Sequence, residues 1–122
     1  MAIPSRLTGS GLAGQAATNI CGDVGNSLTA TDSTYSDALQ LSAVVNRTTT
    51  TASGTGVKLM PAEAGASVVV INSGANALLV YPGAGAAINA LTVTTQGFSV
   101  GAGGRALFVA VSPTNWFAIL SA

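Results

Sequence analysis

The chain has no histidine, a single cysteine and very little charge: four Lys and Arg against four Asp and Glu, 7% of 122 residues. Without histidine no side chain ordinarily titrates near neutral pH, so acid–base chemistry would fall to a few scattered carboxylates. Cys21 has no intrachain disulfide partner, and with no histidine beside it a zinc site has almost no ligands; it reads as a small structural residue. Arg6, Arg47, Lys58 and Arg105 are too far apart in sequence to form the basic cluster that neutralises phosphates, which excludes a nucleic-acid partner. No run approaches the roughly 18 apolar residues of a membrane helix, and the first residues lack the apolar core of a secretion signal. The expectation is synthesis in the cytoplasm, with no membrane partner and no cofactor.

What the chain does have is small and β-forming. Hydrophobic residues make up 48% of it, aromatics only 5%, and 15 glycines accompany abundant Ala, Ser, Thr and Val. Long polar helix formers are nearly missing, so strands and turns are favoured. A surface this poor in charge gives a lone monomer weak colloidal protection, which implies that part of it is covered by protein.

Residues 1–35 read as an extended arm: Gly, Ala, Ser, Thr and Asn carry isolated apolar residues with no sustained period, and Ile3, Leu7, Leu12 and Ile20 are candidate pegs onto a neighbouring molecule. Within the arm "GSGLAG" spells G-x-G-x-x-G, but only "MAIPSRLT" precedes it, so the buried strand that a dinucleotide loop needs is missing. In "TYSDALQLSAVV", Thr34 stands three residues before Asp37 as at the start of a short helix. The competing reading is a strand, because Leu39, Leu41 and Ala43 alternate with Gln40 and Ser42.

Residues 36–122 read as an all-β domain, an antiparallel β-barrel or jelly roll. "SVVVIN" and "ALLVYP" flank "SGA" as one hairpin, and "RALFVAV" and "WFAIL" flank "SPTN" as a second. "VVNRTTTT", "GVKLM", "INALTVTT" and "GFSV" supply shorter strands at the spacing of a barrel or sandwich. Val68 to Ile71, Ala77 to Tyr81 and Ala106 to Val111 are apolar at every position, whereas a strand with one wet face alternates. Either these strands line a sandwich interior with small Ala residues that tolerate exposure, or their outer face packs against another subunit; on the second reading Val69, Ile71, Leu79, Tyr81 and Phe108 are candidate subunit-interface residues.

Candidate chemistry is sparse. Asp32 and Asp37 are conceivable as a carboxylate pair or as ligands to a hard cation, but acidic residues in a Ser/Thr-rich connection more simply start helices and solvate loops. No base or G-x-S-x-G elbow accompanies any serine, so no catalytic, cofactor or metal residues are assigned. Trp116 and Tyr81, with Phe98, Phe108 and Phe117, offer either a sugar-binding platform or, more simply, core.

The segment "GVKLMPAEAGASVVVINSGANALLVYPGAGAAINAL", followed by "GFSVGAGGRALFVAVSPTNWFAIL", resembles the small head decoration, or cement, proteins of tailed bacteriophages. These share a G-V-x-L-P-like segment, an N-x-G-A-N-A-L-x-V-Y-P run, a G-x-x-I-N-A segment and a terminal S-x-x-x-W. The likeness spans residues 56–120 and stops short of the arm; Leu59-Met60-Pro61 stands where Leu-Pro is expected. The resemblance implies a non-enzymatic virion protein on the outer capsid surface, made in the bacterial host cytoplasm, with the major capsid protein and itself, as a homotrimer, for partners. A tail- or fibre-associated protein and a carbohydrate-binding β-module are the alternatives.

Overall fold

The computed structural model describes residues 22–121 together with Gly9, Gly11 and Ala13. Each of the first six strands crosses to the sheet opposite the one before it: β1 (Val24–Thr29), β3 (Val45–Thr50) and β5 (Ser67–Asn72) belong to one sheet, β2 (Leu39–Gln40), β4 (Gly56–Lys58) and β6 (Leu78–Tyr81) to the other. Because the chain changes sheet after every strand, it re-enters each sheet running the same way, and β1–β3–β5 and β2–β4–β6 are parallel. Residues 24–81 thus wind as a flattened parallel coil in which Val24, Val45 and Val69 stand side by side on successive turns. The direction then reverses. Strand β8 (Phe98–Val100) lies antiparallel beside β6, and β9 (Arg105–Ser112) lies antiparallel beside β5. Strand β10 (Asn115–Leu120) folds back on β9, and β7 (Ala87–Ile88) completes the larger sheet beside β10.

The all-β expectation holds, but the antiparallel closed barrel does not: the two sheets are mixed, six strands in the order β1-β3-β5-β9-β10-β7 and four in the order β2-β4-β6-β8, and neither closes on itself. The expected "SVVVIN"/"ALLVYP" hairpin is corrected too. β5 and β6 form as strands, but β5 pairs with β3 and β9 while β6 pairs with β4 and β8. The Gly-containing connection between them arches from one sheet to the other. The "RALFVAV"/"WFAIL" hairpin forms as expected. No helix follows Thr34: Ala38 N donates to the Thr34 carbonyl (3.0 Å) in a single turn, and the chain extends into β2. There the alternation prevails, with Leu41 and Ala43 buried and Gln40 and Ser42 exposed. Within the stretch expected to be an arm, Val24–Thr29 is a strand of the larger sheet.

The inner faces of the sheets share one core. Val68, Val70, Phe108 and Trp116 from the six-stranded sheet meet Val57, Leu78, Val80 and Val100 from the four-stranded sheet, with Leu41, Leu59 and Ile88 among them. Phe98 meets Phe108 edge to face at 5.7 Å across this interior.

Polar groups at the turn of the coil are satisfied from within. Fully buried Asn72 ends β5, and its Nδ2 donates to the carbonyls of Asn76 (2.8 Å), Val100 (3.0 Å) and Gly101 (3.2 Å). Its Oδ1 accepts from Thr51 Oγ1 and Gly74 N, both at 3.0 Å. This one side chain ties together the arch between β5 and β6, the connection after β8 and the end of β3. A β-carbon on Gly74 would lie 2.7 Å from Thr51 N, so the crossing of these segments admits only glycine. One turn earlier in the coil, buried Asn46 donates to the Ala43 carbonyl at 2.7 Å.

Candidate assembly surface

Inward and outward residues alternate along β5, β9 and β10, so the apolar runs split between the core and the outer surface of the six-stranded sheet. The pairing registers align the outward residues into rows across the strands. One row is entirely aliphatic: Val24, Val45, Val69, Leu107 and Ile119, from β1, β3, β5, β9 and β10. It crosses five strands, about 19 Å at the usual strand spacing. The next row sets Ser67, Val109 and Phe117 side by side, with Val111 beyond. On this face Val24 is 66% exposed, Ile119 63%, Val111 56% and Phe117 46%. An open apolar groove of about 280 Å³ runs between β5, β9 and β10, lined by Val69, Ile71, Leu107 and Ile119, with Arg105 at its border.

That border carries the charge. Arg47, Ile71 and Arg105 are register partners on β3, β5 and β9, so the two arginines flank Ile71, about 10 Å apart at two strand spacings. Both are exposed, and Arg47 is steadied on the face by bonds from Nε to Ser73 Oγ (3.0 Å) and from Nη1 to Asn26 Oδ1 (3.2 Å). Of the carboxylates, Asp32 and Asp37 lie in the connection before β2 and Glu63 in the connection before β5, while Asp23 stands at the head of β1 beside Val24, where its Oδ1 accepts from Val44 N (2.8 Å). The surface is therefore suited to desolvated apolar contact with a cationic margin.

The five candidate interface residues do not form one patch. Val69 and Ile71 lie on this face, half-buried. Phe108 points the other way, into the core, because it sits one residue out of phase with Leu107 and Val109. Leu79 is half-buried on the outer side of the opposite sheet. Tyr81 is on that side as well, but the connection before β2 covers it: Tyr81 OH donates to the Ser33 carbonyl (2.9 Å), Tyr35 packs edge-on at 6.4 Å, and Lys58 Nζ sits 5.0 Å from the Tyr35 ring centroid. Phe108 and Tyr81 are thus core and clamp residues. Val24, Leu107, Phe117 and Ile119 are face residues that sequence reasoning missed; their signal was the register, which only the pairing of β1, β9 and β10 reveals.

The candidate pegs Ile3, Leu7, Leu12 and Ile20, with Cys21 and most of "GSGLAG", lie outside the described residues. Trp116, the centre of the conceivable sugar platform, is 1% exposed and its Nε1 has no hydrogen-bond partner, so its ring presents no surface to a glycan. Asp37 Oδ2 accepts from Thr34 Oγ1 (3.1 Å), a local turn contact, and among the described residues no three potential metal ligands cluster. Also among them, no helix is long and apolar enough to cross a membrane. No family model, curated protein or solved structure matches the chain.

Proposed function

We propose that this protein is a non-enzymatic structural component of a tailed-bacteriophage virion, a decoration protein that binds the outside of the assembled capsid and stabilises it as a homotrimer. The observation that supports this most directly is the aliphatic row across the six-stranded sheet, an apolar surface that a chain acting alone would have no reason to keep uncovered. The 56–120 resemblance points to the same class, and the low charge fits a molecule that spends its life against protein. A protein of this kind does its work by mass action: binding the assembled shell and not its dissociated subunits shifts the equilibrium toward the shell. The N-terminal pegs Ile3, Leu7, Leu12 and Ile20 belong to this reading as a second contact with the capsid.

Immunogold electron microscopy of the virus particles that encode this chain tests the reading. Label spread over the head is expected, and heads lacking the protein should rupture at lower temperature or lower ionic strength. Label confined to the tail would replace the reading with the tail or fibre alternative, and unlabelled particles would overturn a virion role.

A further inference from the structure

The apolar face has a chemical polarity that narrows what covers it. Its footprint, one row across five strands with a row of three strands on either side, is on the order of 300 Å² at ordinary strand and residue spacings. A stable contact between two globular surfaces takes about 800 Å² from each partner, so this face alone is too small to hold a second folded copy. It is the right size for an extended segment, since about 19 Å accommodates five or six residues at about 3.3 Å each. One margin of the face is cationic, with Arg47 and Arg105 in the same row as Ile71, while the one carboxylate at the head of the face's strands, Asp23, is engaged by Val44 N. An occupant that lies along the aliphatic row therefore meets two arginines on one flank, rooted about 10 Å apart on strands two spacings from each other, within reach of carboxylates two residues apart in an extended chain, which point to the same side.

We propose that the face is the docking site for an extended segment of the capsid protein that carries both apolar and acidic side chains, the apolar ones seated on Val69, Leu107 and Ile119 and the acidic ones against Arg47 and Arg105. The groove between β5, β9 and β10 takes the largest apolar side chain, beside Arg105. This rests on the virion reading above. It assigns the two arginines the work of orienting the segment, because aliphatic contact alone does not distinguish one direction of the chain from the other.

The test uses the full-length protein and capsids purified from particles produced without it, with binding measured by co-sedimentation over a series of salt concentrations. The wild type should bind, more weakly as salt rises. Arg47→Glu/Arg105→Glu should bind about tenfold or more weakly at low salt and no longer weaken as salt rises, because salt now screens a repulsion, while Arg47→Lys/Arg105→Lys retains most of the affinity. Light scattering and Trp116 emission establish that each variant keeps the wild-type mass and fold. Equal binding by the glutamate variant would overturn the proposal while leaving the virion reading standing. A changed oligomeric mass in that variant would overturn it in favour of a second copy on the face. Failure of the wild type to bind capsids would overturn the virion reading and this proposal with it.

Discussion

Replacing Asn72 by alanine should destabilise the protein more than any other single polar deletion in the described fold. The amide engages five partners at 2.8–3.2 Å, and the residue is fully buried, so no water replaces what is lost. Thr51 Oγ1 keeps Thr48 Oγ1 within reach at 3.4 Å, and the Asn76 and Gly101 carbonyls lie toward the surface. The Gly74 N–H loses its acceptor outright, whereas the Val100 carbonyl keeps Leu78 as its partner in the strand register. At about 1–3 kcal/mol for a stranded buried group, with the cavity left by the missing amide added, the variant should lose about 2–5 kcal/mol. A domain of this size has only about 5–15 kcal/mol in total, so the variant should sit near the edge of folding. Asn46→Ala, which removes one short bond to Ala43 and a longer one to Val69 (3.4 Å), should cost about 1–2 kcal/mol. Urea titration followed by Trp116 fluorescence and by circular dichroism, extrapolated linearly to water, measures both. A loss below about 1 kcal/mol for Asn72→Ala, or a cost no greater than that of Asn46→Ala, would refute the assignment of Asn72 as the tie between the coil and the strands that reverse on it.

Gly74→Ala should cost about 1–3 kcal/mol in the same titration, because the new methyl collides with Thr51 at its Oγ1, its Cβ and its backbone N together, so turning the hydroxyl aside does not relieve the clash. Tyr81→Phe should cost about 1 kcal/mol and speed proteolysis within residues 31–38, since it removes the bond to Ser33 that clamps this connection. Trp116 should emit at short wavelength and resist iodide quenching in the native state, then shift to the red and quench on unfolding; ready quenching in the folded protein would contradict its burial. Ile119→Asp, on the exposed part of the aliphatic row, should leave the unfolding free energy within about 0.5 kcal/mol of wild type while abolishing capsid binding, as checked by urea titration and co-sedimentation.

The parts of the fold written locally were legible in the sequence. Strand runs at Val45–Thr50, Ser67–Asn72, Arg105–Ser112 and Asn115–Leu120 follow from β-branched and apolar patterning, and Pro113 in the two-residue connection between Ser112 and Asn115 marks the last hairpin. Pairing was not legible, because two apolar runs joined by a short Gly-containing link read the same whether they pair as a hairpin or arch between sheets. What decides for the arch is Asn72, whose buried amide finds its partners on the opposite sheet, a three-dimensional fact with no local signature. The same gap explains the split fate of the interface residues. Uniform apolarity in Val68–Ile71 and Ala106–Val111 reveals that both faces are apolar, but the inward phase of Phe108 and the clamp over Tyr81 depend on packing between segments far apart in the chain.

A parallel coil is also a ruler. Each turn of residues 24–81 stacks on the last at one strand spacing, about 4.8 Å, without altering the turns already laid down. Adding or removing a turn would therefore change how wide the molecule is while keeping the β9–β10 hairpin and its end of the apolar face intact. The number of turns thus sets the length of the coil in quantised steps, one turn of sequence for each strand spacing.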